Sequence, residues 1–253
     1  MPPRQEVDTA ATPDARGDVR LSLLDGFELR HDGKEVELPP AAQRLLAFLA
    51  LHDRPLTRVY VAAALWLDAT EERSRANLRA TLWRLRRPGA PLVEASSTHV
   101  RLGREVVVDV TTLVANAQRM LRPPARDRDT GLDDSDLNGD LLPDWYDDWV
   151  LDERERLRQL RLHALETRAE QLAAAGRYGE AVDTALAAVR AEPLRESGVR
   201  ALIKVHIAEG NHGEAIRRYV AYRDRLRNEL GIEPSPHMTA LVEELGAPPL
   251  TAR

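Results

Sequence analysis

Between Arg73 and Arg87 the chain places six arginines and no acidic residue. A guanidinium keeps its charge at any physiological pH. Its planar fork of donors matches phosphate oxygens, or the two acceptors on the major-groove edge of guanine. With helical spacing over residues 70–87, Arg75, Arg79 and Arg86 fall in one row and Arg73, Asn77 and Arg84 in a second. Ala76 and Ala80 lie between the rows, small enough to let a helix backbone approach a groove. Leu78, Leu82 and Leu85 share the opposite side, within about 60° of one another, as a stripe that must be buried, with Ser74 and Thr81 flanking it. A face that served solubility alone would mix Glu and Lys among the arginines as i,i+4 pairs. Here the acids stop at Glu72 and the arginines are expected to be unpaired, which favours contact with DNA over a merely solvated face.

Other chemistry is poorly represented. The chain has no cysteine, which excludes disulfides, thiolate metal sites and cysteine nucleophiles. Seven histidines form no metal-ligand spacing, and neither HExxH, GxSxG, GxGxxG nor a P-loop is present. Asp134-Ser135-Asp136-Leu137-Asn138-Gly139 matches the first half of a calcium loop. Its twelfth position, which needs a bidentate carboxylate, is Trp145, and Pro143 intrudes. An acidic loop is the better reading. No nucleophile-plus-base or metal-ligand constellation emerges, so no enzymatic activity, cofactor or metal is expected. Trp145 and Trp149, four residues apart, are read as a helix entry packed on a core.

The Arg-rich segment sits in a definite order of elements. Val19–Leu24 alternates as a strand, and Phe27–Arg30 and Lys34–Leu38 form two more around the hairpin signal His31-Asp32-Gly33. Helices are expected over Ala41–His52 and Arg58–Trp66, the second capped by Thr57 with Val59, Ala62, Ala63 and Trp66 inward. Thr70 caps the third, which runs to about Arg87 before Pro88-Gly89. Leu92–Ala95 and His99–Leu102 make a hairpin around Ser96-Ser97-Thr98, and Gly103–Val110 a connecting strand. Three strands, three helices and a hairpin are the layout of a winged helix-turn-helix.

Residues 123–148, with nine Asp against two Arg, read as an irregular acidic segment, and the chain is helical from Trp149 almost to its end. Ala174-Ala175-Gly176-Arg177-Tyr178-Gly179-Glu180-Ala181-Val182 matches Ala208-Glu209-Gly210-Asn211-His212-Gly213-Glu214-Ala215-Ile216 at an offset of 34 residues, the tetratricopeptide period. The expected fold is mainly α with a small antiparallel β part: residues 1–18 a disordered tail, 19–106 a winged helix, 107–253 a tetratricopeptide-like helical repeat domain. Residues 1–106 carry a net charge of +1 and residues 107–253 a net of −6, so any attraction to DNA is local to the first part. No run approaches a membrane span and no signal peptide is evident, which points to a cytoplasmic protein.

The segment from Arg75 to Arg87, Arg75-Ala76-Asn77-Leu78-Arg79-Ala80-Thr81-Leu82-Trp83-Arg84-Leu85-Arg86-Arg87, preceded by Ala64-Leu65-Trp66, resembles the recognition helix of the Streptomyces antibiotic regulatory protein (SARP) family. The second half agrees. Gly139-Asp140-Leu141-Leu142-Pro143, Trp145-Tyr146-Asp147-Asp148-Trp149 and Glu153-Arg154-Glu155-Arg156-Leu157 look like the opening of the bacterial transcriptional activation domain. Glu192-Pro193-Leu194-Arg195-Glu196 and Glu229-Leu230-Gly231-Ile232-Glu233-Pro234-Ser235-Pro236 look like its later signatures. The resemblance covers about residues 19–245. It implies a response-regulator-type winged helix that binds direct repeats in double-stranded promoter DNA, side by side with a second copy. It further implies an activation domain contacting the sigma and alpha subunits of RNA polymerase, in a nucleoid-associated protein.

By position in the resembling motif, Arg79, Ala80 and Arg84 fall where bases are contacted. Arg75, Asn77, Thr81, Trp83 and Arg86 fall at or near phosphate-facing positions, with Arg87 at the helix end and Ser97, Thr98 and His99 on the wing. Two departures stand out. The wing has Ser97-Thr98-His99 where the family has Gly-Gly-Tyr or a close variant. Trp83 occupies a position that is usually small or basic, which leaves a packing role open for it. The competing function is a helical-repeat adaptor whose winged module binds protein instead of DNA.

Overall fold

The computed structural model describes residues 18–52, 54–86, 91–122 and 137–245. Outside it lie Arg87, the Pro88-Gly89 stop, residues 123–136 of the acidic segment and all of the expected tail except Asp18. Two compact units divide the chain, Met1–Val110 and Thr111–Arg253.

The first unit opens with β1 (Val19–Ser22), β2 (Glu28–His31) and β3 (Lys34–Glu35), followed by α1 (Pro40–His52). Then come β4 (Leu56–Thr57), α2 (Arg58–Leu65), α3 (Glu71–Leu85), β5 (Val93–Ala95), β6 (His99–Leu102) and β7 (Val106–Val108). One sheet has the order β3-β2-β1-β7 and the other β4-β6-β5. Alternation works as expected in β1, where Val19 and Leu21 are buried while Arg20 faces out and pairs with Asp18 at 2.8 Å. The β2–β3 turn places Asp32 at φ 51° and Gly33 at φ 75°, the left-handed pair that a two-residue hairpin turn requires. The small β part is not purely antiparallel: β7 pairs parallel with β1, Val19 opposite Val106. The Asp109 carboxylate holds that junction. It accepts from the backbone N–H groups of Leu23 and Leu24 at 3.0 Å and of Val110 at 2.7 Å. The first unit therefore continues past residue 106.

Helix α1 packs against β6 and α3, with Leu45, Leu46, Phe48 and Leu49 all buried. In α2 the buried face is Val61, Ala62 and Leu65, whereas Val59 is 50% exposed. The expected inward set of Val59, Ala62, Ala63 and Trp66 is thus rotated. The reason is β4, a strand too short to leave an alternation signal. It pairs Leu56 with Val100, and Arg58 N–H donates to Thr98 O at 2.9 Å, so the helix starts already anchored to the hairpin.

The second unit holds the rest of α4 (Asp109–Leu121), then α5 (Asp148–Ala174), α6 (Tyr178–Ala191), α7 (Glu196–Glu209), α8 (His212–Leu230) and α9 (Pro236–Glu243). The 34-residue repeat appears as two identical helix ends. Gly176 (φ 76°) and Gly210 (φ 87°) each reverse the chain in the left-handed region. Arg177 N–H donates to Leu172 O at 2.9 Å and Asn211 N–H to His206 O at 2.8 Å, while Gly176 and Gly210 each donate three residues back at 3.0 Å. This is the Schellman geometry, repeated bond for bond.

Helix α7 joins the two repeats. Leu202 and Val205 pack with Ala169, Leu172, Ala181 and Ala185 of α5 and α6. Val199 and Ile203 pack with Tyr219, Tyr222, Leu226, Met238 and Val242 of α8 and α9. Polar clamps flank these cores. Glu166 accepts from Arg195 and from Ser197 Oγ, each at 2.7 Å, and Arg154 donates to the carbonyls of Leu141, Leu142 and Trp145 at 2.6–3.0 Å. Hydrogen bonds from Arg158 and Gln159 hold the Glu155 carboxyl down to about 2, and burial pushes the Tyr222 phenol up.

The base of the β5–β6 hairpin offers a sharp test of the first unit. A Cβ added at Gly103 would lie 2.0 Å from the Pro91 carbonyl oxygen, and Gly103 N–H donates to Leu92 O at 2.9 Å. Backbone cannot yield as a flexible side chain can. Gly103→Ala is expected to destabilise the protein by about 1–3 kcal/mol, the range for overpacking, measured by denaturant unfolding; an unchanged midpoint would mean that the hairpin base is open.

Candidate nucleic-acid interface

Helix α3 begins where its sequence directs. Thr70 Oγ1 accepts from Arg73 N–H at 3.4 Å, and Glu71 and Glu72 occupy the first turn, where carboxylates suit the positive end of the helix dipole. Leu78, Leu82 and Leu85 are buried together with Ser74 and Thr81. Their burial fixes the rotation of the helix about its axis. Arg73, Arg75, Ala76, Arg79, Ala80, Trp83, Arg84 and Arg86 are all exposed as a consequence, and Asn77 lies at the margin, half-buried.

The expected residues do not all share that face. Thr81 is 3% exposed, and its hydroxyl donates to Asn77 O at 2.8 Å, so it is a core residue with its hydrogen bond spent on its own helix. It cannot face phosphate. Arg75 is not unpaired as expected: its Nη2 lies 2.5 Å from Glu71 Oε1, an i,i+4 ion pair. The remaining described arginines, Arg73, Arg79, Arg84 and Arg86, form no ion pair among the described residues. In α8 the same residue type behaves differently. Arg217 and Arg218 both pair with Glu214, Arg223 with Asp224, Arg225 with Glu229 and Arg227 with Glu233. Trp83 is 57% exposed. Arg87 lies outside the described residues.

The wing tip is exposed from Ala95 to His99. It closes without glycine. Ser96 N–H donates to His99 O at 2.9 Å, Ser96 Oγ accepts from His99 N–H at 3.0 Å and from Thr98 N–H at 3.3 Å, and Thr98 Oγ1 meets His99 Nδ1 at 2.9 Å. A serine side chain thus satisfies backbone donors that a glycine turn would leave to water. Ser97, Thr98 and His99 are presented together, and the Arg58–Thr98 bond ties the tip to the start of α2. Sequence reasoning missed this link because β4 is only two residues long. Tyr60 also escaped notice; it is 46% exposed on the first turn of α2, with its ring 5.9 Å from that of Phe48.

Among the described residues, no group of three or more His, Asp or Glu side chains is arranged to hold a metal ion. Asn138 of the calcium-like run accepts at Oδ1 from Arg161 at 2.8 Å. Residues 134–136 of that run lie outside the described residues. No described helix is long and apolar enough to cross a membrane.

An arginine-faced helix beside a β-hairpin, followed by stacked helix pairs, defines a winged helix-turn-helix joined to a tetratricopeptide-like domain. Residues 129–245 match the bacterial transcriptional activator domain family. Regulatory protein AfsR of Streptomyces coelicolor is 28% identical over 97% of the chain, and that of Streptomyces griseus 26% identical over the same share. The chain spans 26% of the length of each, about a quarter. Mycobacterium tuberculosis EmbR, solved in complex with a low-affinity phosphopeptide, superposes with a TM-score of 0.72 at 22% identity, over 93% of this chain and 67% of that one. The chain is thus similar to the AfsR regulatory proteins over nearly its whole length, and its second half to the bacterial transcriptional activator domain.

The burial of Thr81 separates stability from any surface role. Thr81→Ala is expected to lower stability by about 1–2 kcal/mol through a lost hydrogen bond and a small cavity. Duplex binding in a gel shift should stay within twofold of the parent once both are folded. A large loss of binding with unchanged stability would place Thr81 on the surface instead.

Proposed function

We propose that the chain is a sequence-specific DNA-binding transcription activator. Helix α3 enters the major groove of promoter DNA, and the β5–β6 wing lies against the neighbouring backbone. The observation that carries this reading is the set of exposed arginines without acid partners on α3, held outward by the buried leucines beneath. Exposed guanidinium groups on such a face can form bidentate contacts to guanine and phosphate without first breaking an ion pair, as a paired arginine would have to. Arg79, Ala80 and Arg84 meet base edges. Arg73, Arg86, Arg87 and the margin residue Asn77 meet phosphates, as do Ser97, Thr98 and His99 on the wing. Arg75 contributes less, because Glu71 competes for it.

The second unit contacts RNA polymerase, by likeness to the activator-domain family, through its sigma and alpha subunits. Its net negative charge keeps it off the duplex. Two copies bind side by side on direct repeats. The work is regulatory and not enzymatic, and its place is the cytoplasm with the nucleoid DNA.

A gel shift and an in vitro transcription assay on the full chain test the whole reading. Arg84→Ala is expected to cost about 1–3 kcal/mol on the specific site and little on random duplex. Arg86→Ala should weaken binding to every duplex and lower the salt slope by about 1. Equal losses on both duplexes for Arg84→Ala would make it a phosphate contact; an unchanged salt slope for Arg86→Ala would remove it from the backbone contacts.

A comparison of residues 1–110 with the full chain tests the division of labour. The cut falls after Val110 because β7 and Asp109 complete the first unit. The fragment is expected to retain operator recognition and to lose stimulation of purified polymerase. Full activation by 1–110 would contradict the role given to the second unit. A folded fragment and full chain that both ignore DNA would favour the adaptor function.

A further inference from the structure

Trp83 is out of place on a surface. It is 57% exposed on α3, where Leu78, Leu82 and Leu85 fill the buried stripe. Helical spacing places it on the same line as Ala76 and Ala80, midway between the arginine row of Arg79 and Arg86 and that of Arg73 and Arg84. It therefore occupies the middle of the face read as entering the groove, and not its rim. A helical side chain covers the surface over the turn before its own Cα, and for Trp83 that turn carries Arg79 and Ala80. Ala80 leaves room for it.

The chemistry of the indole limits what it reads. It has one N–H donor, no acceptor, and a broad apolar face. Of the groups that the four bases present in the major groove, all are hydrogen-bonding except one, the C5-methyl group of thymine. Arginines on either side supply the polar contacts to guanine and phosphate, leaving an apolar strip along the centre of the helix whose only matching partner on a duplex is that methyl group.

We propose that Trp83 is a specificity-determining residue that packs its indole against the C5-methyl group of a thymine, so that this chain's operator carries a thymine opposite the middle of α3. The assignment rests on the DNA-binding reading above, and the experiment separates the two. The full chain selects its site from a pool of random duplexes. The selected thymines are then replaced one at a time by deoxyuridine, which removes the methyl group and changes nothing else.

At one thymine the replacement is expected to weaken binding roughly three- to tenfold, the scale of one methyl group lost from an apolar contact. Trp83→Ala should weaken binding to the thymine site by a similar factor and no longer distinguish thymine from uridine there. Trp83→Phe should keep part of the discrimination. The melting temperature of both variants is checked first, so that binding is compared between folded proteins. Equal thymine preference in the parent and in Trp83→Ala would overturn the assignment while leaving DNA recognition intact. Failure of the chain to select any sequence would overturn both.

Discussion

Everything proposed for the first unit depends on the burial of one side of α3. Each of Leu78, Leu82 and Leu85 contributes about 1.5–3 kcal/mol when removed from water, and Ser74 and Thr81 complete the contact at 3% exposure each. Against this stands the repulsion of neighbouring arginines, a few tenths of a kcal/mol for each like-charged pair on a helix surface. Burial wins by an order of magnitude. The rotation of α3 is thus set by its apolar side, and its cationic face has no choice but to point outward. The side that stabilises the protein and the side that would bind DNA are separate residues on one helix. The face can change its readout without endangering the fold.

The second unit uses the same economy of faces in a different way. Helix α7 has apolar residues on two sides, Leu202 and Val205 toward α5 and α6, Val199 and Ile203 toward α8 and α9. A helix of this kind cannot be solvated alone, and it obliges its neighbours to stack on both sides. The polar clamps then fix the register. Glu166 holds Arg195 and Ser197 at the start of α7, and Glu196 of α7 accepts from the N–H of Ser235 at the start of α9 at 2.9 Å. A carboxylate on each preceding helix thus secures the N-terminal end of the one two places on, Glu166 through side chains and Glu196 through a backbone N–H of the kind a helix start has in surplus.

What the sequence disclosed follows from the range of the interactions involved. The α3 stripe, the caps at Thr57 and Thr70, the Asp32-Gly33 turn and the paired glycines at 176 and 210 are all local signals, and each was legible. The phase of α2 was not, because Arg58 bonds Thr98, forty residues on in the chain, and a two-residue strand carries no period. The parallel pairing of β7 with β1 was hidden for the same reason: its register is set by Asp109 reaching Leu23 and Leu24. Within the candidate site, the arginines could be placed from spacing alone, but Thr81 could not. Threonine is compatible with either the margin or the core, and only the hydrogen bond to Asn77 O decides it. The glycine-free wing is similar. Ser96 replaces the missing backbone freedom with a side-chain acceptor, a substitution that no local pattern announces.

The contrast between α3 and α8 carries the argument for function one step further than composition does. Both helices are rich in arginine and both expose it. In α8 the acids lie at neighbouring helical positions or just beyond the helix end, so each described arginine there has a carboxylate and the surface is close to neutral over short distances. Such pairs contribute little to stability individually, yet they suppress any local field. In α3 the carboxylates are confined to the first turn, where the helix dipole favours them, and only Glu71 reaches back to an arginine. Beyond Arg75 the field of the guanidinium groups is left uncompensated over more than two turns. A protein that is net negative would be expected to neutralise such a patch if solubility were its only use, since it does so on α8. On the proposed reading, the cationic face of α3 meets a polyanion, and the exposed Trp83 at its centre meets the one apolar group that such a polyanion presents in its major groove.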